Sequence, residues 1–258
     1  MINPTGSNCY LCGKIADGPN DHVPPEVLFR GTNGRSYKSP AIITVPSCRK
    51  HNNGASPDDE ILAWIMSDAG ALRSSVGSDV NQALLAPVSQ RIHKDREFAD
   101  QRLGHGGIRV LRDPKDYDEK GYPKAQTYDA EYFKRAEQSL QERWMVLERS
   151  LKKIAAGLFF HATQGQSLGV IEAGKLAVVV LDFKQVGTAI TLTGLNLDEA
   201  TYFAKELSWQ PIVSGSPEVC QCDIARQSRS RRFAMRMLFY ESIRVWVKFD
   251  DSGHGVGS

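Results

Sequence analysis

Two short stretches govern how this chain can fold: Cys9-Tyr10-Leu11-Cys12-Gly13 and Cys48-Arg49-Lys50-His51-Asn52-Asn53-Gly54. In each, two residues separate a pair of metal-donor side chains, Cys9 from Cys12 and Cys48 from His51. A tight turn of that length sets two soft donors on one side of an ion, and a second such turn completes a tetrahedral shell. Three thiolates and an imidazole suit borderline-soft Zn2+, whereas Mg2+ and Ca2+ prefer oxygen. The chain supplies all four donors and leaves no position open for a substrate, so the zinc is expected to be structural.

The surrounding sequence gives such a staple a purpose. Residues 1–57 are rich in Gly, Pro, Asn and Ser, with short extended candidates only at 27–30 and 41–45. A structural zinc contributes roughly 10–16 kcal/mol of apparent binding energy in small peptides, which is comparable to the stability of a whole domain. The competing reading, ordinary apolar cysteines and a surface histidine, would have to produce two matched pairs around one loop-rich segment by coincidence.

Working outward, the 258 residues allow one long domain or two. With 41% apolar and 24% charged residues the composition is that of a globular protein, which excludes fibrous and disordered classes. No unbroken apolar run is longer than that at 176–181, which is far short of the ~20 residues a membrane span requires. No secretion-signal pattern opens the chain, so a cytoplasmic location is expected, where five cysteines are better explained by metal than by disulfides. Net charge is only +2, but its distribution is uneven. Residues 226–248 carry six Arg and one Lys against Glu241 alone, a local balance of +6.

Ser56-Pro57-Asp58-Asp59-Glu60 reads as a helix start, with a Pro in the first turn and clustered acids at the positive end of the helix dipole. A second helical stretch is expected over 80–102, kinked at Pro87. Residues 104–126, with several Gly and Pro around a short extended run at 108–111, read as a linker. Asp129 can cap a long helix reaching about Leu158, whose apolar residues recur every three or four positions and should face a sheet. Strands are expected at 176–183 and 188–192, then a short helix at 197–207. Two alternating strands follow: Phe233, Met235, Met237 and Phe239 share one face with Ile243, Val245, Val247 and Phe249, and Glu241-Ser242 supplies the turn.

Between the donor pairs lies Asp21-His22-Val23-Pro24-Pro25, and Asn52-Asn53-Gly54 follows the last donor. Hydrolysing a phosphodiester at neutral pH needs a base for water and a divalent cation for the phosphate. An imidazole suits the first task and oxygen donors the second. Taken alone, Asp21-His22 is also an ordinary turn dipeptide. CxxCG, DHVPP, VPSC, NNG and the Ser-x-Asp-Asp-Glu helix start, in this order, resemble the HNH endonuclease family in its zinc-stapled form over about residues 7–70.

The resemblance implies a ββα-metal, or treble-clef, unit and hydrolysis of DNA, with RNA an open alternative substrate. It implies His22 as general base, Asp21 and Asn52 as ligands of one Mg2+ or Mn2+ ion, and Asn53 as the neighbouring candidate for the Asn52 role. Cys9, Cys12, Cys48 and His51 would hold the structural zinc. Where the family often places a middle Asn, this chain has Ile43 and Thr44, so orienting His22 falls to another group. Such units serve restriction, phage defence, mobile elements and repair.

The expected architecture is therefore α+β. A zinc-bound nuclease unit occupies 1–75, a helical connection and linker 76–126, and a domain with a long helix on a mainly antiparallel sheet 127–258. Arg49 and Lys50 either grip phosphate or are solvated surface. Arg232, Arg236, Arg244, Trp246 and Lys248, on the outer face of the 232–249 hairpin, either track nucleic acid or serve solubility and edge protection. Cys220 and Cys222 are too close for a zinc turn and read as incidental thiols. His93, His105, His161 and His254 have no partner motif, and Leu158-Phe159-Phe160 reads as core. A homodimer or a partner protein is compatible with all of this. The contrasting functions are a zinc-stapled nucleic-acid-binding module and an interaction domain, both without cleavage.

Overall fold

The computed structural model describes residues 7–53, 56–71, 74–94, 130–163, 176–181, 190–191, 208–226 and 233–249. Within them the chain is α+β, with two antiparallel sheets and four α-helices. The first sheet is a minimal hairpin, β1 (Asp21–Val23) against β2 (Ile43–Val45), with Asp21 opposite Val45 and His22 opposite Thr44. Helix α1 (Arg49–Asn53) follows directly, then α2 (Ser56–Ala71) and α3 (Ser75–Lys94). The second sheet gathers β3 (Leu176–Leu181), β4 (Ile190–Thr191), β5 (Ser208–Ile212), β6 (Cys220–Arg226), β7 (Phe233–Phe239) and β8 (Ile243–Phe249) in the order β4-β3-β8-β7-β6-β5. Helix α4 (Ala130–Ala162) packs on α2, on the β1–β2 hairpin and on β3.

The start of α2 falls where Ser56-Pro57 placed it, and α4 and the β7–β8 hairpin follow their apolar spacing. Other expectations are corrected. Of the expected extended run 27–30 only Arg30 is extended, bridging Ser36: Glu26–Phe29 forms a 3-10 turn that drives Val27, Leu28 and Phe29 into the core. Helix α3 begins at Ser75 rather than 80 and continues through Pro87. The turn between β7 and β8 contains Glu241 and Ser242 but starts one residue earlier than expected: it spans Tyr240 to Ser242 between the paired Phe239 and Ile243, with the Ser242 N–H reaching the Phe239 carbonyl at 3.1 Å. Tyr240 and Glu241 have positive φ, 49° and 57°, the handedness that matches strand twist at the tip of a hairpin. Non-glycine residues resist that conformation, and here Tyr240 is fully buried and donates to the Leu28 carbonyl at 3.0 Å. Strands β5 and β6 were not anticipated; β5 tolerates Pro211 because it ends the ordered ladder. The runs at 108–111 and 197–207, the cap Asp129 and the linker 104–126 lie outside the described residues.

One apolar cluster joins both sheets. It runs from Tyr10, Val23 and Phe29 through Leu62 and Met66 of α2 and Leu151 and Leu158 of α4 to Phe233, Val245 and Phe249. Phe159 stacks on Phe233 with ring centroids 4.5 Å apart. Two glycines mark where the halves meet most closely. A Cβ on Gly157 of α4 would stand 2.6 Å from a Val23 methyl, and one on Gly215 would stand 2.3 Å from the Phe29 ring. Between β5 and β6, the Ser214 hydroxyl donates to the Val23 carbonyl at 2.6 Å and accepts from the Ile43 N–H at 3.0 Å, so one side chain pins both hairpin strands. Helix α3 holds the intervening loop, with Asp79 accepting from Tyr37 at 2.9 Å and from Thr32. No helix of the described residues is long and apolar enough to cross a membrane.

Candidate functional site

The first knuckle is closed by backbone bonds from the Cys9 N–H to the Lys14 carbonyl at 2.7 Å and from the Gly13 N–H to the Cys9 carbonyl at 2.8 Å. Gly13 has φ of 68°, the left-handed conformation that lets the chain turn back immediately after Cys12. The second knuckle is the first turn of α1, where the His51 and Asn52 N–H groups both reach the Cys48 carbonyl at 3.0 Å. Asp17 caps that helix by accepting from the Arg49 N–H at 3.0 Å. The two knuckles are tied by Tyr10 N–H to the Pro46 carbonyl and Gly18 N–H to the Ser47 carbonyl. At Gly18 a Cβ would stand 2.8 Å from the Arg49 nitrogen, so the approach requires glycine.

These turns bring the donor atoms of Cys9, Cys12, Cys48 and His51 within 4.8 Å of one another. Tetrahedral zinc with the usual bond lengths implies sulfur–sulfur edges of about 3.8 Å and sulfur–nitrogen edges of about 3.6 Å. The corresponding distances are 3.9 Å from Cys12 Sγ to Cys48 Sγ, and 3.5 and 3.3 Å from His51 Nδ1 to Cys9 and Cys48. The group can therefore hold a metal such as zinc, in a geometry the side chains already have. Burial pushes the Cys9 thiol up, but the N–H groups of Cys48, Leu11 and Cys12 and the His51 ring outweigh it and bring its pKa to about 6. Burial and the neighbouring Cys9 and Cys48 raise the Cys12 thiol.

A cleft of about 290 Å3 is lined among others by Asp21, His22, Glu26, Asn52, Asp59 and Glu60. His22 comes from β1, Asn52 from the helix turn after the metal donor His51, and Asp59 and Glu60 from the first turns of α2. Asp21 is buried, and its Oδ2 accepts from Tyr10 at 2.8 Å and lies 3.1 Å from Lys153 Nζ of α4. The same ammonium stands 3.2 Å from Asp59 Oδ2. Burial raises the Asp59 pKa to about 6; Lys153 opposes the shift and Asp21 adds to it. The Asn52 amide donates to the Pro19 and Asn20 carbonyls at 2.8 and 3.2 Å, which fixes the loop entering β1. Carbonyls only accept, so the amide nitrogen must face them and Oδ1 is left on the opposite side. Half-exposed His22 presents Nε2 3.8 Å from Glu26 Oε2, while the other carboxylate oxygen pairs with Lys38 and Arg30.

Of the residues singled out in the sequence, the four donors meet in one group, and Asp21, His22 and Asn52 share one cleft. Asn53 ends α1, and its side chain lies outside the described residues. Arg49 and Lys50 do not line the cleft: Arg49 Nε bonds the Asp17 carbonyl, and Lys50 lines a separate hollow of about 940 Å3 beside the metal group. Arg236, Arg244, Trp246 and Lys248 lie on the sheet face opposite the one that packs on α4, away from the cleft. Arg236 is engaged there, 2.7 Å from Asp223 and over the Trp209 ring at 4.5 Å. Arg232 lies outside the described residues. Cys220 and Cys222 are buried on the core face of β6, with sulfurs 3.3 Å apart.

Sequence reasoning missed Glu26, Lys153, Tyr10 and Trp209. Glu26 had a signal, four residues after His22; Lys153, one of many basic residues on a long amphipathic helix, had none. Comparisons with protein-family models, curated proteins and solved structures found no match to this chain.

Proposed function

We propose that the chain is a metal-dependent endonuclease of the HNH type, cutting DNA with His22 as general base. The observation that carries this reading is the shared cleft. A strand histidine, the adjacent carboxylate Asp21 and the helix-borne Asn52 line one hollow of about 290 Å3, and Asn52 directly follows His51 of a Cys3His group that fits zinc. The order hairpin, metal donors and helix is compatible with a treble-clef ββα unit, in which the staple would fix the position of Asn52 through its neighbour His51.

Each residue has a task that its chemistry suits. His22 takes a proton from the attacking water, which is within reach of an imidazole at neutral pH. Asp21 and the remaining oxygen of Asn52 would hold a single Mg2+ or Mn2+. When bound, such an ion neutralises the phosphate and stabilises the departing oxygen. The Asn52 amide keeps the loop before β1 in place, so the strand delivers Asp21 and His22 at a fixed angle. The donor set fits a hard cation, since carboxylate and amide oxygens are its preferred ligands. The outer sheet face, with Trp246, Arg244 and Lys248, would touch only a nucleic acid long enough to wrap around the sheet.

A second reading is a zinc-stapled nucleic-acid-binding or interaction module without cleavage. It is favoured by one observation: Oδ2 of Asp21 is already committed to Tyr10 and Lys153. Plasmid nicking by the full chain, with and without Mg2+ or Mn2+, tests the first reading, and His22→Ala should abolish it. If neither protein cuts but both retard DNA at low salt, the second reading replaces it.

A further inference from the structure

We propose that Glu26 is a positioning residue for His22, fixing the ring with its proton on Nε2 and leaving Nδ1 as the nitrogen able to accept a proton. The inference rests on the nuclease reading for its purpose, but its geometry stands apart from that reading.

Glu26 opens the 3-10 turn Glu26–Phe29, and the three residues after it are buried, so the base of its side chain is anchored in the core. The carboxylate divides its two oxygens. Oε1 meets Lys38 and, at 3.6 Å, Arg30, while Oε2 faces His22 Nε2 at 3.8 Å. The Lys38 contact holds Glu26 below the usual carboxylate range, which keeps it ionised at neutral pH. A neutral imidazole carries one N–H, and a carboxylate against one nitrogen draws that proton there and leaves the lone pair on the other. A separation of 3.8 Å exceeds a direct hydrogen bond, and a small rotation of the half-exposed ring closes it. Contacts of this kind are often long before substrate binds. Asp21, Asp59 and Glu60 also line the cleft, and Glu26 Oε2 faces the His22 ring. Thr44, opposite His22 on β2, pairs with it through the backbone ladder.

The test uses the metal-loaded full chain with 15N-labelled histidine. Two-bond proton–nitrogen correlations are recorded at about pH 8.5, where an imidazole is neutral, with His22→Gln assigning the signal. The wild-type ring should be held in the Nε2–H form, whereas Glu26→Ala should show a mixture of both tautomers and Glu26→Asp should restore the single form in part. In single-turnover plasmid nicking, Glu26→Ala should slow cleavage by about 100-fold, the low end for a mispositioned base, without weakening DNA retention. The pairs lost with Glu26 are partly exposed and contribute little to folding. An unchanged tautomer ratio in Glu26→Ala overturns the proposal, as does a cleavage rate within threefold of wild type. A wild type that cuts no DNA overturns the nuclease reading instead, and the tautomer measurement still decides the role of Glu26.

Discussion

Cys9 and Cys12 sit in a turn whose backbone N–H groups point at sulfur, in a region with two three-residue strands and little regular structure. Cys220 and Cys222 sit on the apolar face of β6, inside a ladder of seven-residue strands. The first pair meets a second pair of donors, and Cys9 has a pKa of about 6. At the second site burial and the neighbouring thiol drive Cys220 well above the usual range. Thiol count is the same in both places. The difference lies in whether the backbone around the sulfur stabilises a thiolate and whether other donors converge on it. It follows that residues 7–53 are expected to be held largely by a metal, and the β6–β8 ladder by buried side chains.

The largest effect should come from removing the metal. A strong chelator, or Cys48→Ser, should withdraw on the order of 10 kcal/mol of folding free energy from the N-terminal region. Hydrogen exchange would then show amides at 7–53 exposed while those of β6–β8 stay protected; equal loss in both regions would erase the contrast. Next is Lys153→Met, which leaves the buried Asp21 and the partly buried Asp59 without their shared cation and should cost about 3–5 kcal/mol in urea unfolding. Adding Asp59→Asn to that variant should recover part of the loss.

Asp59 also sets a pH dependence. Its folded pKa, about 6, lies above the ordinary aspartate value of 3.8, so the stability it lends is full at low pH and is lost as pH rises through 6. Between pH 4 and pH 7 the wild type should lose on the order of 2–3 kcal/mol relative to Asp59→Asn. A pH-independent difference between the two would show that Lys153 already compensates the burial. Gly215→Ala probes the seam between the two regions. At φ of 67° and against the Phe29 ring, the added methyl should cost about 1–3 kcal/mol by calorimetry. The smallest change is expected from Cys222→Ala, about 1 kcal/mol, with metal content by atomic absorption unaltered. A loss of metal there would mean that the two thiol pairs are not the separate cases their surroundings suggest.

Particular residues show how far the sequence could be read. The spacing of Cys9, Cys12, Cys48 and His51 sufficed to predict a four-donor group, because two-residue turns leave little choice of geometry. Ser56-Pro57 and the alternation in β7 and β8 were equally legible, being local signals. The 3-10 turn at Glu26 was not: Val27, Leu28 and Phe29 look like a strand until the core they enter is known. Tyr240 as a positive-φ turn residue was hidden too, since its cost is offset by a hydrogen bond to Leu28, more than two hundred residues away in the chain.

The sequence by itself determined the metal group, the order of the helices and the apolar faces of the long strands, because each depends on residues only a few positions apart. Tertiary structure alone decided that Lys153 reaches Asp21 and Asp59, that Ser214 pins both strands of the first hairpin, and that the basic hairpin face points away from the His22 cleft. Those outcomes depend on where distant segments pack, and a buried ion pair or hydroxyl bridge has no spacing by which to announce itself in advance.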